Sequence, residues 1–108
     1  MREVYFVEGA GLIKIGFAAD ATRRFKAMLT GSPVPLSLLA SMSGGPEVEA
    51  ELHIQFAEWR AHGEWFRPSP KLLEIIAAAP YQYGQAYRDV LALPRANVIR
   101  ASAARNFQ

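Results

Sequence analysis

Two short runs rich in β-branched and aromatic residues, Glu3-Val-Tyr-Phe-Val-Glu8 and Leu12-Ile-Lys-Ile-Gly-Phe17, sit on either side of Gly9-Ala10-Gly11. Such residues suit a pleated strand and a glycine-rich break suits a tight turn, so the chain is expected to open as an antiparallel β-hairpin. With Gly9-Ala10 as the two-residue loop, Glu8 pairs with Gly11 and Tyr5 falls opposite Lys14 on one face. Gly16 lies on that same face, and a glycine inside a strand permits close approach of a backbone or a ligand. On packing grounds alone, Tyr5 buries its stem in a core and Lys14 reaches solvent.

The rest of the chain supplies helices and one more strand. Asp20 is placed to cap a helix over about 21–30, with Phe25, Met28 and Leu29 at helical spacing. Ser32-Pro-Val-Pro35 is a stiff loop, Leu36 to Met42 reads as a third strand, and Gly44-Gly45 breaks it. Pro46 opens the longest expected helix, about 46–61, whose buried stripe is Val48, Leu52, Phe56 and Trp59. Gly63 stops it, Glu64-Trp65-Phe66 is extended, and Ser69-Pro70 caps a helix running to about 79. Two short helices are expected at 84–93 and 95–105, separated by Pro94. The order predicts an α+β (α/β) fold, a small three-stranded antiparallel sheet flanked by helices. Residues 1–80 form one domain, and 81–108 a basic helical C-terminal extension of it.

Composition narrows the chemistry. A chain of 108 residues supports one domain. With no cysteine, disulfides, iron–sulfur clusters, thiolate zinc sites and cysteine nucleophiles are excluded. Two histidines, His53 and His62, are too few for an all-histidine zinc site. Any metal must therefore rely on carboxylates and water, which favours magnesium, manganese or calcium. No apolar run approaches the ~18 residues of a membrane span, and Met1-Arg2-Glu3 leads straight into the first strand, so a cytoplasmic protein with no membrane partner is expected. Charge is uneven: residues 1–80 carry eight basic and nine acidic side chains, whereas 81–108 carry Arg88, Arg95, Arg100 and Arg105 against Asp89 alone. A basic tail on a near-neutral body fits a polyanionic partner, and it equally fits a solvated helix face.

Within the 46–61 helix, Glu47 and Glu51 fall opposite the apolar stripe, whereas Glu49 projects beside Phe56 on the side of His53. A carboxylate at the edge of a core needs a positive neighbour, either an arginine in an ion pair or a metal ion. Arg23, Arg24 and Lys26 crowd the start of the first helix, where they form either a phosphate site or a solvated face. No glycine-rich phosphate loop or nucleotide fingerprint is present to support a metabolic enzyme.

Taken in order, Val4-Tyr-Phe6, Lys14-Ile-Gly16, Arg24, Glu49-x-x-Leu-His53 and Gly63-Glu-Trp-Phe66 resemble the GIY-YIG nuclease superfamily. The likeness is to its compact branch from phage and bacterial genomes, in which KIG replaces YIG, and it covers about residues 3–68. Glu3 and Val4 stand where the family's first motif has glycine and isoleucine, and Lys14 stands where the second has tyrosine. The resemblance implies an endonuclease that hydrolyses DNA phosphodiester bonds with one Mg²⁺ (or Mn²⁺) on Glu49. It implies Arg24 as the phosphate clamp, Tyr5 orienting or deprotonating water, and Lys14 as the cationic neighbour that step needs. His53, one turn after Glu49, either relays a proton or touches phosphate, or is a packing residue. Arg23, Lys26, Arg88, Arg95 and Arg100 are the candidate DNA contacts, with Tyr81, Tyr83 and Tyr87 as a means of packing the tail on the body instead. Sequence-specific cleavage would need the tail, a homodimer or a partner protein. The alternative is a catalytically weak DNA-binding or partner-binding module on the same fold.

Overall fold

The computed structural model describes residues 2–83. The elements run β1 (Glu3–Gly9), β2 (Leu12–Ala18), α1 (Ala21–Leu29), β3 (Leu36–Ser43), α2 (Pro46–Gln55), β4 (Arg60–His62), β5 (Trp65–Phe66), α3 (Pro70–Ala78) and β6 (Tyr81–Gln82). The fold is α+β, but its antiparallel sheet has six strands, not three, in the order β4-β5-β2-β1-β3-β6. The three further strands are only two or three residues long, too short to leave a periodic signature. The helices expected at 84–93 and 95–105, with Arg88, Arg95 and Arg100, lie outside the described residues.

β1 is central and buried on both faces, which is why its sequence is nearly continuous in apolar residues. Val4 and Phe6 join Ile13, Ile15, Leu39 and Phe66 in a core closed by Leu52 of α2, by Phe56 just after it, and by Leu72, Leu73 and Ile76 of α3. Tyr5 and Val7 belong to a second cluster with Ala18, Leu38 and Ala21, against which Phe25 and Met28 of α1 pack. Alternation along β1 thus divides the helices between the two sides of the sheet.

The hairpin turn is Ala10-Gly11, not Gly9-Ala10, so Gly9 pairs with Leu12, Tyr5 with Gly16 and Val7 with Lys14. Both turn residues have positive φ, 52° at Ala10 and 82° at Gly11, the backbone that matches strand twist in a two-residue loop. The Glu8 carboxylate fixes the turn by accepting the Gly11 N–H at 3.0 Å. Because the pairing moves by two positions, Tyr5, Lys14 and Gly16 keep a common face.

α1 begins as expected, with the Asp20 side chain accepting the Arg23 N–H, and Ser69 caps α3 by accepting from Leu72. α2 is shorter than the expected 46–61. It ends at Gln55, Phe56 adopts φ −105°, ψ 21°, and one tight turn over Ala57–Trp59 leads into β4. Pairing of β4 with β5, and of β5 with β2, requires the chain to leave the helix there, and Phe56 and Trp59 still reach the core. Residues at the start of the basic segment also join the sheet: β6 pairs with β3, and the Tyr83 hydroxyl lies 3.0 Å from Ser41 Oγ.

Candidate functional site

β5 covers only part of the outer edge of β2, pairing with Ile13 and Lys14. Next to that edge, a cavity of about 330 Å³ is lined by Tyr5, Lys14, Phe17, Arg24, Met28, Glu49 and Glu64. Five parts of the fold contribute: β1, β2, α1, α2 and the turn between β4 and β5. Four residues singled out in the sequence, Tyr5, Lys14, Arg24 and Glu49, therefore meet around one space.

Tyr5 is 1% exposed, yet among the described residues no group hydrogen-bonds its hydroxyl. Its ring lies over Gly16, where an added Cβ would stand 2.5 Å from the hydroxyl oxygen. The close approach foreseen at this glycine is thus made by the tyrosine itself. Lys14 is not the cross-strand partner of Tyr5. Its Nζ donates to Glu64 Oε1 at 2.7 Å and sits 5.8 Å from the centre of the Trp65 ring.

Glu49 lies in the first turn of α2, half-buried at the flank of the apolar stripe, whereas Glu47 and Glu51 are exposed. Burial holds its carboxyl above the usual glutamate range, and the negative charge of Glu64 beside it pushes the same way; His53 and Lys14 oppose this. No arginine pairs with Glu49 among the described residues; His53 Nε2 lies 3.9 Å from its Oε2. His53 does not line the cavity. Its Nε2 lies 2.9 Å from the Ile15 carbonyl, so that nitrogen carries the proton and donates. Since the Ile15 N–H donates to Glu64 O at 3.0 Å, His53 completes the hydrogen bonding of β2 where β5 stops. Its ring also tilts against Phe66 at 5.0 Å.

Arg24, Arg23 and Lys26 are all exposed on α1, but only Arg24, in its first turn, lines the cavity. Glu64 is the residue that sequence reasoning missed. It stands in a short extended piece with no periodicity, and only the Gly63 turn (φ 53°) brings it next to Lys14. The carboxylates that line the cavity are Glu49 and Glu64, oxygen donors of the kind a hard cation takes; no group of three or more His, Asp or Glu that could hold a metal ion is found among the described residues, at this cavity or away from it. Among those residues, too, no helix is long and apolar enough to cross a membrane.

No curated protein and no solved structure matches the chain. The sequence profile of the T5orf172 domain matches residues 3–79, from the first residue of β1 to the C-cap of α3, and so takes in every residue that lines the cavity. The chain belongs to the T5orf172 domain family.

Proposed function

We propose that the protein is a divalent-metal-dependent endonuclease that hydrolyses DNA phosphodiester bonds with chemistry of the GIY-YIG type. The observation that carries this reading is the convergence of Tyr5, Lys14, Arg24 and Glu49 on one cavity from four separate elements. Hydrolysis at a phosphate needs such a set: a clamp on the non-bridging oxygens, a group to orient water and a seat for a cation.

Arg24 projects a permanently charged fork into the cavity mouth, suited to gripping two non-bridging oxygens and to opposing the charge that grows on them. Tyr5 presents a buried hydroxyl with no described protein partner, which leaves it to hold the attacking water in line. Arg23 and Lys26, exposed on the same helix, supply further phosphate contacts. The donors fit a hard divalent cation, since the cavity offers carboxylate oxygens and the only nearby imidazole nitrogen in hydrogen-bond contact is committed to Ile15. Bound at Glu49, Mg²⁺ or Mn²⁺ would supply Lewis-acid polarisation of the phosphate and of the leaving oxygen. A partner protein or a second copy would supply sequence specificity.

Incubation of supercoiled, linear and branched DNA with Mg²⁺ or Mn²⁺ tests the reading. Cleavage should be abolished by chelator, by Glu49→Gln and by Arg24→Ala, and only mildly reduced by Arg23→Ala. Cleavage by Glu49→Gln at the wild-type rate would sink it. The Lys14–Glu64 ion pair, at the position where the resemblance has a tyrosine, favours the second reading, a DNA-binding module. Tight, chelator-insensitive binding without cleavage would select that one.

A further inference from the structure

We infer that Glu64 is a second carboxylate of the divalent-cation site, facing the ion together with Glu49; the inference rests on the metal-dependent reading above. Glu49 comes from α2 and Glu64 from the turn between β4 and β5, and both line the same cavity. Lys14 engages Oε1 of Glu64 at 2.7 Å, and the same carboxylate lies within hydrogen-bonding reach of the Glu49 carboxyl. Glu49 and Glu64 share this space with two cations, Lys14, which is paired with Glu64, and Arg24 from α1, so the charged side chains of the cavity balance before any ion enters. Two carboxylates lining one half-buried space repel each other.

A second, independent feature points to a ligand in this space. Tyr5 is 1% exposed and lines the same cavity, and its hydroxyl has no hydrogen-bond partner among the described residues. A divalent cation with its water shell answers both needs at once. The ion offsets the carboxylate repulsion, and its waters give the phenol a partner. His53 contributes no Nε2 ligand, because that nitrogen donates to Ile15.

A merely structural Glu64 would do no more than hold Lys14 in place, so the two roles predict opposite behaviour for Lys14→Met. Mn²⁺ binding to the full chain, followed by electron paramagnetic resonance of the free ion and without any substrate, separates them. Glu64→Gln should weaken Mn²⁺ binding by about tenfold or more, as loss of a group in a metal's immediate surroundings does. Glu49→Gln should abolish saturable binding, and Lys14→Met should tighten it by removing a like charge. Should Glu64→Gln fail to fold, Glu64→Asp keeps the charge with a shorter reach and should show a smaller loss. Wild-type affinity in the Glu64 variants, or equal weakening by Glu64→Gln and Lys14→Met, would overturn the inference and leave the metal-dependent reading standing. No saturable Mn²⁺ binding by the wild-type chain would overturn both.

Discussion

The Tyr5 ring lies so close over Gly16 that a methyl group there would stand 2.5 Å from the hydroxyl oxygen and 2.6 Å from Cζ. Neither the phenol, which is buried, nor the β-strand backbone beneath it can yield cheaply. Gly16→Ala should therefore cost about 1–3 kcal/mol and lower the thermal midpoint, in the range found for overpacked cores. It should also remove DNA cleavage by displacing the hydroxyl. An unchanged melting curve would show that the ring is not pinned there. Glu49 makes the opposite prediction for stability. Its folded-state pKa is raised, so the folded chain holds that proton more tightly than the unfolded chain does. The group consequently destabilises the fold above its folded pKa, and the penalty fades as pH falls from there to the unfolded value. Glu49→Gln should melt higher than wild type at pH 7 in the presence of chelator. The gap should close in the acid range, and a gap that widened on acidification would contradict the assigned direction.

At the scale of elements, the cavity depends on how two helices are fixed to one strand edge. α2 is tied to β2 by the His53–Ile15 hydrogen bond, and Glu49 sits one turn earlier on the same helix face. His53→Ala leaves that strand carbonyl without its protein donor and removes the ring packed on Phe66. It should cost about 1–3 kcal/mol. Denaturant melts would report this loss, and catalysis should fall because Glu49 loses its anchor. Full stability in His53→Ala would reduce His53 to a surface residue. On the other side of the sheet, α1 is held at its first turn by Asp20 and by Glu3, whose Oε2 accepts the Ala21 N–H at 3.1 Å. The same Glu3 carboxylate accepts from Ser41 Oγ at 2.7 Å. Glu3 thus joins the start of α1 to β3, one turn before Arg24. The caps at Asp20 and Ser69 were legible in the sequence because they depend on a few neighbouring residues. The end of α2 was not, because it is set by strand pairing with distant segments.

Across the whole molecule, the folded body is close to neutral while residues 81–108 carry four arginines against one aspartate. Tyr81–Gln82 pair with β3 and Tyr83 reaches Ser41, so the sheet takes in the first three residues of the basic segment. A chain ending at Tyr83 should stay folded, bind DNA more weakly and show a shallower dependence of affinity on salt, because a protein that neutralises fewer phosphates releases fewer counterions. Identical binding at every salt concentration would make the basic segment a bystander. The amino-acid sequence by itself determined the hairpin, the third strand, three helix starts and the identities of Tyr5, Lys14, Arg24 and Glu49 as residues to watch. The elements and the edge position of Glu49 rest on short-range periodicity and capping, whereas the choice of Arg24 over Arg23 and the pairing of Tyr5 with Lys14 in one site rest on the resemblance to the GIY-YIG superfamily. Only the tertiary structure decided the turn register, the three short edge strands, the commitment of His53 to Ile15 and the arrival of Glu64 beside Lys14 and Glu49. Lys14 and Glu64 are 50 positions apart, and no local pattern encodes their meeting. It follows from the order in which a six-stranded sheet assembles around β1.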